Sequence, residues 1–477
     1  MSEILVSFWP WLSSAVLLGI DLWATGHVVL FKRHTRSAIG WVGLIWLVPV
    51  AGPILYLLFG INRIQRKARR LRGRVGFVGD AGGEGEGEGA PGNFLELEEL
   101  GRFVTRLTNR PCLVGNLVTP LPSGELAYTA MLEGIGSAKK TIGLSTYIFD
   151  NDKTGNAFVQ ALAEAVGRGV SVRVLVDDIG SRYSFPSIFG RLRSAGVPVA
   201  SFMPTLVPWL FAYAQLRNHR KILVLDGRIG FTGGMNIRDS HDCRRGSKNP
   251  AADCHFALAG PVVADLVNVF ADDWQFAKGE RLAGDGWFPS LVPAGDCQAR
   301  GIASGPDDRH ETLRMTFLGA IACAKKSIRI ATPYFLPDSD LLSALNVASL
   351  RGVQVDIVVP QQSNLRLVHW AMRGIHGQVL EYGCNLWLSP APFDHAKLFV
   401  VDDHWCLIGS ANWDSRSLRL NFEFDVECHG GSVAEVVVGM IEKRLQTSHR
   451  LSRQELAGRG LPGRLRDGLA RLASPYL

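Results

Sequence analysis

Two stretches of the chain spell one pattern with one spacing. His219-Arg220-Lys221-Ile222-Leu223-Val224-Leu225-Asp226 and His395-Ala396-Lys397-Leu398-Phe399-Val400-Val401-Asp402 both read H-x-K-x4-D. After six intervening residues each Asp is followed by a glycine-led turn, Gly233-Gly234-Met235-Asn236 or Gly409-Ser410-Ala411-Asn412, and the step from His to Asn is 17 residues in both. By composition, one such motif arises by accident in roughly three chains per hundred of this length, so a single copy says little; two copies with identical downstream spacing are specific. Smaller echoes accompany them. Ala138-Lys139-Lys140-Thr141-Ile142 returns as Ala324-Lys325-Lys326-Ser327-Ile328, each leading toward an aromatic, Tyr147 or Tyr334, and Arg168-Gly169-Val170 returns as Arg351-Gly352-Val353.

A duplication with strand-like runs alternating with amphipathic helical stretches predicts an α/β fold of two pseudo-symmetric halves, each a central mixed sheet flanked by helices. The expected halves are 116–290 and 291–477. A chain of 477 residues is too long for one ordinary core, in agreement with two units. The 51 Lys+Arg against 44 Asp+Glu leave +7, compatible with anionic membranes or phosphate-bearing partners without choosing between them. Eight cysteines show no CxxC pair or zinc-ligand spacing, which fits a reduced compartment.

The N-terminus has a different chemistry. Ile4 to Phe31 and Ala38 to Phe59 are apolar stretches that exceed the roughly 20 residues needed to cross a hydrocarbon core, so 1–61 is expected to be a two-helix transmembrane hairpin. Asp21 inside the first stretch has no explanation in the sequence. Lys32, Arg33 and Arg36 lie in the short loop, whereas Arg63, Arg66, Lys67, Arg69, Arg70, Arg72 and Arg74 follow the second stretch. Seven outweigh three, which places the bulk of the chain on the cytoplasmic side. Residues 62–115 are expected to be a basic and Gly/Glu-rich linker, with AGGEGEGEGAPG over 81–92 as a solvated tether.

Geometry says why the motif residues travel together. On a strand, residues i and i+2 face one side, so His219 with Lys221, and His395 with Lys397, are expected to point into one space. Asp226 and Asp402 complete the catalytic motif, and Asp226-Gly227 is a turn signal, so these two are expected to organise turns rather than touch substrate. Gly234, Ser410, Asn236 and Asn412 form a candidate phosphate-binding set: small residues let backbone approach an anion, and the Asn amides donate. One imidazole does not conveniently act as both nucleophile and acid for the leaving group. Two, meeting at a pseudo-two-fold interface, divide the work, with Lys221 and Lys397 holding the charge. A phosphodiester is the electrophile that fits; its displacement gives a phosphohistidine that a second alcohol opens. No metal or other cofactor is required. Asp253, after His219, and Glu423, after His395, are candidates for orienting the rings. His241, His376, His449 and the other histidines are read as structural or surface residues.

With these residues in hand, the chain resembles the phospholipase D superfamily, whose mark is a duplicated H-x-K-x4-D-x6-G-[GS]-x-N, and within it the bacterial cardiolipin synthases. The closer resemblance is carried by Pro49-Val50-Ala51-Gly52-Pro53-Ile54-Leu55-Tyr56-Leu57-Leu58-Phe59-Gly60, Asn218-His219-Arg220-Lys221, Thr332-Pro333-Tyr334-Phe335 and the closing Ser474-Pro475-Tyr476-Leu477. The Gly/Glu tract departs from it. The resemblance implies two α/β halves packed face to face, a multi-pass protein of the bacterial inner membrane, and transfer of a phosphatidyl group between two phosphatidylglycerol molecules with release of glycerol. It implies His219 as nucleophile and His395 as acid and later base, with the exchanged roles left open by the pseudo-symmetry. Membrane phospholipids are the expected partners; nucleic acid is not.

Three reactions share this chemistry: lipid-to-lipid transfer, hydrolysis of a phospholipid to phosphatidic acid, and cleavage of a nucleic-acid diester. The hairpin disfavours the nuclease, and the presence of both His, both Lys and both Asn disfavours an inactive membrane scaffold. Transfer against hydrolysis depends on water exclusion, which no motif decides. Two further segments suggest lipid contact. The apolar run over 202–216 precedes His219, with core as the even alternative, and the C-terminal arginines make a basic end that is equally a solvated helix face.

Overall fold

The computed structural model describes residues 2–32, 35–60, 97–204, 216–242, 244, 246–247, 249–305 and 311–474. The basic run over 63–74, the Gly/Glu tract over 81–92 and most of the apolar run over 202–216 lie outside the described residues, as do Cys243, His310 and the closing Pro475-Tyr476-Leu477. The chain divides into two compact units, Met1–Arg70 with Val207–Ala214, and Leu71–Leu206 with Gln215–Leu477.

In the first unit, Ser2–Phe31 is one helix, and its Trp11–Phe31 portion is long and apolar enough to cross a membrane. Trp11, Trp23, Val29 and Leu30 are exposed along it, an outward apolar surface of the kind that lipid covers. The second apolar stretch is not one continuous helix. Thr35–Leu47 is followed by a break, then Ala51–Leu55 and a π-helical turn Tyr56–Gly60. The break has a local cause, because Pro49 has no amide hydrogen to give and Val50 is held at φ 76°. Gly52 follows where a Cβ would meet the Leu44 carbonyl oxygen at 2.5 Å, so only glycine lets the chain double back here. Ala24, Val28, Ile45 and Tyr56 are buried together, and the Tyr56 hydroxyl shares a 2.7 Å hydrogen bond with His27 Nδ1.

The second unit is built on a mixed sheet of 15 strands in which the duplication is visible strand by strand. Read outward from the middle, the first half runs Leu113–Leu121, His255–Ala259, Ile229–Gly233, Ile222–Leu225, Thr141–Thr146, Ser171–Asp177 and Val199–Phe202. The second runs Cys297–Ser304, Glu423–His429, Trp405–Gly409, Leu398–Val401, Ser327–Ala331, Gln354–Pro360 and Asn385–Ser389, with His449–Arg450 added at its edge. The halves join edge to edge where Leu113 pairs with Ala299 and Asn116 with Cys297, rather than face to face. They also share a core. Helices Val263–Lys278 and Gly431–Thr447 bury Phe270, Trp274 and Val437 with Phe256, Ala299, Phe424 and Val426, residues of both halves. The opposite face of each half has its own core. Part of the expected linker is ordered structure: Glu98–Thr108 is a helix whose Leu100 and Val104, on one face at i,i+4, pack into the second half's core, and the first strand begins at Leu113.

Asp226 and Asp402 explain why the Ala-Lys-Lys segments repeat. Each stands at the turn after its motif strand with φ 52°. The Asp226 carboxylate accepts from the amides of Lys139, Lys140 and Thr141 at 2.9, 2.6 and 2.9 Å, and Asp402 accepts from Lys325, Lys326 and Ser327 at 2.8, 2.6 and 2.8 Å. They tie the turn to the start of the neighbouring strand. As motif members they are architectural, with no place in the cavity described below.

Candidate active site

Each motif His is set by the other half of the molecule. The strands proper begin at Ile222 and Leu398, so His219, Lys221, His395 and Lys397 sit on the extended segments leading into them rather than within the strands. Those segments reach across. The His219 amide donates to the Phe422 carbonyl at 2.9 Å, and the His395 amide donates to the Ala252 carbonyl at 2.7 Å. The residue after each acceptor is a carboxylate. His219 Nδ1 is 3.0 Å from Glu423 Oε2, and His395 Nδ1 is 2.8 Å from Asp253 Oδ2. The pairing is therefore crossed: the carboxylate that follows His219 in sequence orients His395, and the reverse.

Gly234 and Ser410 differ from expectation in the same way. A Cβ on Gly234 would lie 2.4 Å from Asp253 Oδ1, so the missing side chain makes room for that carboxylate. Ser410, its counterpart, donates its hydroxyl to Glu423 Oε2 at 2.6 Å. Both serve the carboxylates instead of a phosphate. Ser417, which no motif singles out, donates to Glu423 Oε1 at 2.8 Å.

Burial dominates the electrostatics. It holds the His219 imidazole near 4, with Lys221 and Lys397 adding to the effect and Glu423 opposing it. His395 is held well below the ordinary value by burial, Lys397 and Lys221. Burial alone would raise Glu423, but His219, Lys221 and the Ser410 hydroxyl outweigh it and the group stays ionised. Near neutral pH, then, His219 is a neutral ring whose Nδ1–H donates to a carboxylate, which leaves the Nε2 lone pair as the reactive site. Burial also lowers Lys221 to about 7. Lys221 Nζ donates to the His219 carbonyl at 2.6 Å, and Lys397 Nζ donates to the His395 carbonyl. Both ammonium groups are buried behind the rings.

His219 and His395 open onto one cavity of about 890 Å³, lined by both halves, with Asn236 and Asn412 in its wall. Asn236 Oδ1 accepts from the Ile148 amide at 3.1 Å, which leaves its Nδ2 as the free end. Tyr147 sets its edge against His219 with centroids 5.3 Å apart, and Tyr334 does the same for His395 at 6.2 Å. The repeat hinted at these tyrosines; it gave no sign of Arg238 and His241, which also line the cavity. His241, Asp253 and His395 place ligand atoms within 4.8 Å of one another and could hold a cation, although Lys397, 3.0 Å from His395 Nδ1, opposes one.

Known proteins resemble this chain over most of its length. Residues 131–245 and 317–444 match the family described as cardiolipin synthase, PLD-like domain, and residues 19–60 match phospholipase D-nuclease N-terminal. A cardiolipin synthase of Alkalihalophilus pseudofirmus is 33% identical over 473 residues, 97% of this chain and 93% of that one. The chain belongs to the cardiolipin synthase family of phospholipase D-like proteins. Other members include the major cardiolipin synthase of Bacillus subtilis, 31% identical over 94% of this chain and 96% of that one. Cardiolipin synthase A of Pseudomonas putida is 32% identical over 97% and 96%. The crystal structure of a phosphatidylserine synthase from Haemophilus influenzae has the same fold at 16% identity, with a TM-score of 0.61 over 80% of this chain and all of that one. Membership in the cardiolipin synthase family makes the chain a phosphatidyltransferase of the phospholipase D superfamily.

Proposed function

We propose that the enzyme joins two phosphatidylglycerol molecules into cardiolipin in two displacements and releases glycerol. The observation that carries the reading is the crossed pair of carboxylate-held imidazoles facing one cavity. In the first displacement His219 Nε2 attacks phosphorus. The N–P bond forms as the P–O bond to the glycerol headgroup breaks, and His395 gives its proton to the departing oxygen. An anionic diester between the rings raises the pKa of His395 and so loads that proton. In the second displacement a hydroxyl of another phosphatidylglycerol attacks the phosphohistidine, His395 takes the hydroxyl proton, and the P–N bond breaks. Lys221 and Lys397 supply the positive field behind the rings, and the amides of Asn236 and Asn412 receive the phosphoryl oxygens.

The anchor supports the substrate class, because the scissile phosphate lies at headgroup depth. In this reading 1–61 holds the enzyme in the inner membrane, with Ser2–Phe31 crossing it and the broken second stretch packed against that helix, and the two halves over 116–290 and 291–477 work on the cytoplasmic side. The test of chemistry is purified enzyme with phosphatidylglycerol in mixed micelles. Cardiolipin and glycerol in equal amounts are expected; phosphatidic acid without cardiolipin would replace transfer by hydrolysis. Protease access to a C-terminal tag from the cytoplasmic face alone is the expected topology result.

A further inference from the structure

The repeat is broken at two positions that matter to the cavity. Arg238 and His241 follow Asn236 by two and five residues; the positions two and five after Asn412 are Asp414 and Ser417. In the second half those side chains are consumed internally. Asp414 accepts from the Ser417 amide at 2.7 Å, and the Ser417 hydroxyl goes to Glu423. In the first half they are not. Arg238 Nη2 pairs with Asp150 Oδ2 at 3.1 Å, while its Nε is buried without a hydrogen-bond partner. His241 is 5% exposed, and its Nδ1 is likewise buried without one. Both residues line the cavity, and the His241 ring lies 5.8 Å, centroid to centroid, from that of His395. Two residues that line one cavity, each with a buried polar atom the protein leaves unmet, are groups available to a ligand.

The place of these atoms says which ligand. Donor phosphorus sits between the rings, and His395 is the group that takes the proton from the incoming hydroxyl, so the second lipid approaches along the His395 side. That lipid has its own phosphodiester, a negative charge that needs a partner, and a polyol headgroup. We infer that Arg238 and His241 form an acceptor subsite, Arg238 binding the phosphate of the incoming phospholipid and His241 hydrogen-bonding its glycerol hydroxyl. Burial keeps the His241 imidazole near 3, so the ring is neutral and can both donate and accept toward a hydroxyl. The inference rests on the transfer reaction proposed above and adds what selects its second substrate.

The experiment uses the full chain in mixed micelles with labelled phosphatidylglycerol as donor and two competing acceptors. Unlabelled phosphatidylglycerol brings phosphate and polyol; 1-propanol brings a hydroxyl alone. Arg238→Gln is expected to lower the ratio of cardiolipin to phosphatidylpropanol by about tenfold or more, the scale of a lost charged hydrogen bond. Arg238→Lys, which keeps a charge, should hold that ratio within about threefold of the unmodified enzyme. His241→Ala should lower it by about threefold to tenfold through a raised KM for phosphatidylglycerol. Ratios within about twofold of the unmodified enzyme in both Arg238→Gln and His241→Ala overturn the subsite. Should Arg238→Gln not fold, the ratio in His241→Ala decides alone. An unmodified enzyme that makes phosphatidylpropanol but no cardiolipin overturns the transfer reading itself, and the subsite with it.

Discussion

Single residues decide whether this cavity can do chemistry. His219→Ala and His395→Ala are each expected to abolish cardiolipin formation while leaving the melting temperature near that of the unmodified protein; turnover in either variant removes the two-imidazole mechanism. Because Glu423 fixes the His219 tautomer, Glu423→Gln should lower kcat by about a thousandfold or more with the fold retained, as loss of the equivalent carboxylate does in other buried His–carboxylate pairs. Proton balance adds a second test. Burial favours the neutral form of Lys221, so its proton leaves near pH 7 instead of near the ordinary lysine value, and the field it supplies vanishes as pH rises. A plot of kcat/KM against pH, which reports the free enzyme, should therefore decline on the alkaline side from about 7, and a flat profile to about pH 9 would count against the Lys221 assignment. At this scale the letters identified the two imidazoles. They misassigned Gly234 and Ser410, whose neighbours are carboxylates that reach them only in the folded molecule.

At the scale of strands and turns, the repeated Asp is a fastener. Asp402 is buried and accepts three amides of the Lys325–Ser327 segment, so Asp402→Ala strands three donors at the joint between two strands. A loss of about 2–4 kcal/mol in urea unfolding is expected, with the activity of the molecules that remain folded near normal. Equal stability would show that water replaces the carboxylate. These elements were legible beforehand because turns and strands rest on short-range rules: an Asp-Gly pair, a β-branched run, a glycine ending a helix. The second apolar stretch was less legible. Its composition reads as one span, whereas Pro49 and Val50 break it into Thr35–Leu47 and Ala51–Leu55, since a missing amide outweighs hydrophobicity along the helix axis.

Across the whole catalytic unit, the halves are not independent. They share an edge, share the core around Phe270, Trp274 and Phe424, and exchange the carboxylates that orient their rings. Either half expressed alone should be inactive. A chain cut once at a protease site engineered after the exposed Gly284 should stay associated and keep most of its activity, measured by size exclusion and cardiolipin synthesis, because no paired strand is severed there. Separation of the nicked halves under native conditions would contradict the shared core.

The sequence by itself determined the duplication, the two His-Lys pairs, the turn-forming Asp residues and the apolar N-terminus. All of these rest on periodicity or on the demands of neighbours a few residues away. Tertiary structure alone decided that Glu423 serves His219 across 204 residues, that Asp253 serves His395 across 142, and that Arg238 and His241 open onto the cavity. Side-chain contact at such separations is set by how two half-sheets meet along an edge, and one strand's worth of letters carries no record of that meeting.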